Sequence, residues 1–283
     1  MGNTLIQESW DGYRWLVRRG LSHDAIPLSK GEYTILNTLK ELSSKSKVFV
    51  DVGAHVGYYA VRMAKYYKEV LAFEPNPFSV EVLQANIEIN NLTNVTVFPV
   101  ALGDKTEQRV LYVRQAMTTL NPTPDATHKV PIKVDRLDNL IQKADVIKID
   151  CEGWEERVIL GANRIIEDNH PILVIEHHDH CYAECTGMRD RIKNYLYGKN
   201  YISIGFGDIE HWIYVPKNAS LRPLIPLITK CWFDYTIRNV QNGKPWYYGL
   251  PYTWWWGLSH YDFITELPNH ILEEEMWIRG VIA

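Results

Sequence analysis

The stretch Asp51-Val52-Gly53-Ala54-His55-Val56-Gly57 follows a β-rich run and precedes a helix-like one. A glycine-bearing turn between strand and helix is where an open α/β sheet takes a nucleotide, outside the carboxyl ends of its strands. Gly53 lets the backbone approach a ligand, and Gly57 permits close packing of helix on strand. The spacing is D-x-G-x-x-x-G, not the G-x-G-x-x-G of a dinucleotide site, whose pyrophosphate would sit on the helix N-terminus. Adenosylmethionine carries no phosphate, so Asp51 could lie beside its sulfonium and amino group without repelling an anion. Glu74, 21 residues past Gly53, ends the next strand-like run. A carboxylate there accepts hydrogen bonds from two ribose hydroxyls.

A second group of reactive residues follows two later strand-like runs. Asp150 and Glu152 come after Val146-Ile147-Lys148-Ile149, and Glu176, His177 and His178 after Ile172-Leu173-Val174-Ile175. Where such residues act on a weakly acidic group, a general base speeds the reaction by about 10²–10⁴-fold. All five residues are candidates for base and acceptor positioning. Asp150 has a second reading, as a cap on the following helix or a partner for the donor's amine. Glu152 has one as an acid at a helix N-terminus. Asp150, Glu176 and His177 could alternatively hold a divalent cation, by analogy with catechol-type O-methyltransferases.

These residues need elements to position them. Short β-rich runs alternate with helical ones from Val48 onward, the pattern of βαβ units around a mostly parallel sheet. Strands are predicted at 48–52, 70–73, 95–100, 146–149 and 172–175, with helices at 58–67, 78–90 and 155–166. Runs 110–113 and 130–134 read as an inserted hairpin, and 201–204 with 212–215 as a terminal antiparallel pair turning at 205–208. Before the sheet, Leu5, Ile6, Trp10, Tyr13, Leu16 and Val17 recur at near-helical spacing. A second helix is predicted over 31–42 with Ser29 as its N-cap. Residues 217–283 hold six of the ten tryptophans, including Trp254-Trp255-Trp256. They read as the core of a small extension or a subunit contact, a sugar-stacking surface, or a peripheral membrane contact.

Composition bounds the rest. The 283 residues suit one catalytic domain with extensions. A net charge of −4 with no basic stripe argues against a nucleic-acid substrate. Four cysteines in this length make no disulfide scaffold, and no apolar run is long enough to span a membrane. With no signal peptide and a failed myristoylation motif at Gly2, the expected location is the cytoplasm.

The loop 51–59, Ala72-Phe73-Glu74-Pro75-Asn76-Pro77, Asn86 to Asn91, Ala101-Leu102-Gly103-Asp104 and Ile147-Lys148-Ile149-Asp150-Cys151-Glu152-Gly153 resemble the FkbM family of methyltransferases. The likeness covers roughly 47–216. It implies a class I, Rossmann-like fold with a seven-stranded, mostly parallel sheet and an antiparallel last strand. A helical extension (1–46) and an aromatic-rich one (217–283) would flank this domain. It also implies S-adenosylmethionine as donor and O-methylation of a sugar or natural-product hydroxyl. Carried across, Asp51, Gly53, Ala54, His55, Gly57, Glu74 and Pro75 would hold the donor's amino-acid part and ribose. Asn76 would support the ribose, and Leu102 and Asp104 would hold the adenine. Two positions depart from the family's pattern: His55 replaces a common Asn, and Trp154 a small residue. An RNA methyltransferase of the same fold and a non-enzymatic scaffold are the competing readings.

Overall fold

A computed structural model describes residues 4–18, 27–28, 32–44, 46–114, 117–122, 126–179, 183–205 and 210–219. Ser29, residues 206–208 of the predicted 205–208 turn and the aromatic stretch beyond 219 lie outside the described residues. The elements in chain order are β1 (Thr4–Glu8), β2 (Arg14–Arg18), α1 (Tyr33–Leu42), β3 (Val48–Val52), α2 (Tyr58–Met63), β4 (Glu69–Phe73), α3 (Pro77–Ile89), β5 (Val95–Phe98), β6 (Ala101–Leu102) and β7 (Glu107–Arg114). Then come β8 (Met117–Thr119), β9 (His128–Asp135), α4 (Leu137–Leu140), β10 (Val146–Ile149), α5 (Glu155–Gly161), α6 (Asn163–Asn169), β11 (Ile172–Glu176), α7 (Met188–Gly198), β12 (Tyr201–Gly205) and β13 (His211–Pro216).

Seven strands form the central sheet in the order β12-β13-β11-β10-β3-β4-β5. Pairings among β11, β10, β3, β4 and β5 are parallel, while β13 runs antiparallel to both β11 and β12. This is the expected α/β architecture, with the last strand of the described residues reversed. Strands covered on both faces read as near-continuous apolar runs, as Val146-Ile147-Lys148-Ile149 does apart from its lysine.

Alternate residues supply the two cores. Phe49, Val70, Ala72, Val146 and Val174 pack under α1 and α2. Val50, Val52, Leu71, Phe73, Ile147, Ile149, Leu173 and Ile175 pack with residues of α5, α6 and α7. The inserted hairpin is β7 against β9, extended by β6 and β8 into a four-stranded sheet. The predicted helix 155–166 is two helices meeting at Ala162. Gly161 there faces the Gly103 backbone so closely that a Cβ would lie 1.9 Å from its carbonyl oxygen.

The expected helix over residues 5–17 is a β-hairpin instead: β1 pairs antiparallel with β2. The apolar residues that suggested a helix include Leu5, Ile6 and Trp10, which are exposed. The deciding signal is Asp11-Gly12 with Gly12 at φ +84°, a tight-turn dipeptide between the strands. Tyr13 and Trp15, two residues apart, then lie with Trp10 and Tyr58 around Arg62 of α2, whose guanidinium pairs with Asp11 at 2.5 Å. Helix α1 forms as predicted but without a side-chain cap, its N-cap being Glu32.

Candidate functional site

The carboxyl ends of β3, β4 and β10 open onto a cavity of about 260 Å³. Its wall includes Val52 to His55, Tyr58, Tyr59, Phe73 to Pro75, and Val100 to Leu102. Leu111 and Thr118 to Leu120 close it from the inserted sheet, and Asp150, Cys151, Glu152, Trp154, Val158, Glu176 and Glu32 complete it.

At one end Glu74 is buried, and each carboxylate oxygen accepts one backbone N–H: Oε2 from His55 at 2.9 Å and Oε1 from Asn76 at 2.8 Å. Burial raises its pKa to about 7 against these two bonds. His55 reaches this position by taking a left-handed turn, φ +50°, which explains how a non-glycine residue presents its N–H there. Gly53, at φ +82°, is required for a different reason: a Cβ would lie 1.8 Å from the Asp150 carbonyl oxygen. Gly53→Ala should therefore cost at least about 2 kcal/mol through backbone strain and overpacking. Urea unfolding measures this, and an unchanged midpoint would contradict it.

At the other end stands an acid-rich cluster. Lys148 of β10 is fully buried, with Nζ 3.1 Å from Asp150 Oδ2, 3.7 Å from Glu176 Oε2 and 4.9 Å from the Tyr59 ring centroid. Burial pulls the Lys148 pKa down, but Asp150, Glu176, Glu32 and Asp51 outweigh it and keep the amine a cation. Burial raises Asp150. In Glu176 burial is overcome by His211, at 3.2 Å, and Lys148, which hold it well below the usual carboxylate range.

The chain turns sharply after Asp150. Glu152, at φ +52°, and Gly153, at φ +92°, are both left-handed. The turn is held by Thr119 Oγ1 donating to Glu152 O (2.9 Å), Asn121 Nδ2 to Gly153 O (3.2 Å), and the Cys151 and Gly153 N–H groups to Glu155 Oε1. The same Glu155 oxygen is 2.9 Å from His178 Nδ1. His178 Nε2 faces Glu152 at 3.6 Å, Glu176 at 3.8 Å and Asp150 at 3.9 Å. Burial lowers the His178 pKa, but Glu155, Asp150 and Glu152 raise it to about 10. Burial and Asp150 raise Glu152 to about 7.

The family model described as the methyltransferase FkbM domain matches residues 51–202, more than half of the chain. The chain belongs to the FkbM methyltransferase family. Hexuronic acid methyltransferase AglP of Haloferax volcanii is 28% identical over 162 residues, 52% of this chain and 63% of its own. Methyltransferase 1 of Beauveria bassiana is 26% identical over 150 residues, 43% of this chain and 59% of its own. The chain thus spans about three fifths of the length of either relative. Among solved structures, the methyltransferase FkbM of Methylobacillus flagellatus KT superposes with a TM-score of 0.44 at 20% identity, over 60% of this chain and 43% of that one.

Within this FkbM domain the structure gathers Gly53, Ala54, His55, Glu74, Pro75, Leu102, Asp150, Glu152 and Glu176 on one cavity wall. Other predicted residues stand elsewhere. Asp51 is buried beneath the loop on the α1–α2 face, where burial raises its pKa to about 7 and Lys148 opposes that rise. Gly57 serves packing: a Cβ would lie 2.7 Å from Leu83 Cδ1. Asn76 caps α3 by accepting from Phe78 N, and acts on the cavity only through its N–H to Glu74. Asp104 points away and pairs with Arg157 at 3.0 Å.

His177 is a correction to the predicted base. It is buried away from the cavity with Nε2 2.8 Å from Tyr214 Oη, and burial lowers its pKa to about 3. The proposed Asp150–Glu176–His177 metal set does not form for the same reason. Among the described residues, the groups that do converge within 4.8 Å are Asp150–Glu152–His178 and Glu32–Glu176–His211, with Lys148 3.1 Å from Asp150 and 3.7 Å from Glu176. His178 is equally unsuited as a base, being protonated at neutral pH.

Four residues of the site went unread in the sequence: Lys148, Glu155, Glu32 and His211. A lysine inside an otherwise apolar central strand was the available signal for the first. The other three depend on contacts between distant elements. Trp154, one of the two departures from the family's pattern, lines the cavity with the Arg109 and Arg157 guanidinium groups over its ring at 4.9 and 5.3 Å.

Proposed function

We propose that this chain transfers a methyl group from S-adenosylmethionine to a hydroxyl of a sugar or related acceptor, with Glu152 as general base. The observation that carries this reading is the pairing, in one cavity, of a buried acid held by two loop N–H groups and a second acid poised near neutrality. Glu74 offers its remaining lone pairs to ribose hydroxyls. Phe73, Val100, Leu102, Leu111 and Val158 supply the apolar surface a purine needs. The five carboxylates of the wall, Glu32, Glu74, Asp150, Glu152 and Glu176, suit a cationic donor.

When bound, adenosylmethionine supplies a methyl on a sulfonium, a good leaving group needing no further activation. The chain's residues orient the acceptor oxygen and take its proton. Glu152 accepts that proton, being partly ionised at neutral pH, where a base works best. His178 keeps the adjacent carboxylates charged without competing for it. Asp150, 3.1 Å from Lys148, helps position the acceptor.

Calorimetry with adenosylmethionine and adenosylhomocysteine tests the donor half, and labelled methyl transfer to glycosides the acceptor half. Absence of adenosylhomocysteine binding at millimolar concentration would overturn the reading. Glu74→Gln should weaken adenosylhomocysteine by about 10–150-fold, the worth of hydrogen bonds to a charged group. An unchanged affinity would remove Glu74 from the donor site.

A further inference from the structure

We propose that Glu32 is a specificity-determining residue that selects an uncharged, hydroxyl-bearing acceptor over an anionic one, an inference that rests on the methyl-transfer reading above. Glu32 lies outside residues 51–202, the part matched by the family model, yet it lines the cavity.

Its place along the sheet assigns it to the acceptor. The strand tips run in the order Glu74 after β4, Gly53 after β3, Asp150 after β10, Glu176 on β11 and His211 on β13. Adjacent strands stand about 4.8 Å apart, so Glu176 lies roughly 15 Å across the sheet from Glu74. A donor whose ribose meets Glu74 extends past Gly53 toward Asp150 and leaves the Glu176 end for the second substrate. Glu32 closes that end, with a carboxylate oxygen within 4.8 Å of Glu176 and His211.

Glu32 is built to face inward. It stands at the N-terminus of α1 but does not cap it, and the Tyr59 hydroxyl donates to its carboxylate. The preceding segment is tied to α2 from the other side, where Arg62 pairs with Asp11 and donates to the Pro27 carbonyl at 2.7 Å.

Charge decides what this end accepts. Among the described residues, the cavity wall carries five carboxylates and no lysine or arginine. Of the nearby cations, Lys148 and His178 are buried behind the wall and engaged by Asp150, Glu176, Glu152 and Glu155, while Arg109 and Arg157 stand over the Trp154 ring and pair with Glu107 and Asp104. A uronate or phosphate entering here would meet repulsion and lose its hydration without a partner. A neutral hydroxyl can donate to Glu32.

The test uses the full chain saturated with adenosylhomocysteine. Saturation-transfer NMR and competition compare methyl glycosides of common neutral hexoses with those of the matching uronic acids. Neutral glycosides should bind more tightly than uronates, and Glu32→Gln should cut that preference by about tenfold or more. Adenosylhomocysteine affinity should be unchanged. Glu32→Asp keeps the charge that faces Lys148, so it guards against a folding defect; it should still reject uronates while binding neutral glycosides more weakly. Uronates binding as tightly as neutral glycosides would overturn the proposal. So would an unchanged preference in Glu32→Gln, or no neutral glycoside binding to a chain that binds adenosylhomocysteine. Failure of the wild type to bind adenosylhomocysteine would overturn both this proposal and the reading beneath it.

Discussion

Glu152→Gln is expected to slow methyl transfer by about 10²–10⁴-fold, the usual contribution of a general base. The glutamine keeps the side-chain volume and leaves the backbone hydrogen bonds of the 151–153 turn intact, since those come from main-chain atoms. Adenosylhomocysteine affinity should therefore stay at the wild-type value, which separates lost chemistry from a lost fold. The pH profile gives an independent check. Glu152 becomes a competent base as it loses its proton, so the rate rises as pH passes about 7. His178 loses its charge as pH passes about 10, and the neighbouring acids then lose their counter-ion, so the rate falls again. Glu152→Gln should abolish the rising limb. A variant that retains that limb, with only a modest drop in rate, would move the base to another residue, Asp150 being next in line.

Lys148→Met is expected to destabilise the chain by about 3–5 kcal/mol, the cost of removing one partner from a buried ion pair. Methionine fills similar space, so the loss measures the charges left behind and not a cavity. Asp150 and Glu176 would face each other without the cation that sits 3.1 and 3.7 Å away. Urea unfolding reads the effect. Adding Asp150→Asn should recover part of it, because groups in one ionic network couple by about 0.5–3 kcal/mol. A loss below about 1 kcal/mol, or strict additivity in the double variant, would show that Lys148 does not organise the cluster.

The two predictions lie on different levels of the same architecture. Glu152 stands on a turn with positive φ, and the inserted sheet helps hold that turn through Thr119 and Asn121. Lys148 acts from inside the sheet, on the α1–α2 face, beside the buried Asp51 of the neighbouring strand and among mostly apolar residues.

The sequence by itself determined the sheet and the Glu74 end of the cavity. Buried parallel strands must be apolar and short, and the turns at their ends must carry glycine where backbone comes close; both constraints are local and are written into 48–57, 70–74 and 146–153. Glu74 was legible because a strand tip at a fixed distance from the loop leaves a carboxylate one place to be. The amino-terminal hairpin was written too, in Asp11-Gly12, but exposed apolar residues imitated a helical face. Only the tertiary structure decided the Glu176 end. His177 and His178 are adjacent in sequence, yet one faces Tyr214 and the other four carboxylates, because successive residues leaving a strand point to opposite sides. Their pKa values consequently part in opposite directions, to about 3 and about 10. Glu32, Lys148, Glu155 and His211 converge from distant segments, and the sign and strength of their charges depend on burial and distance, which no spacing along the chain records.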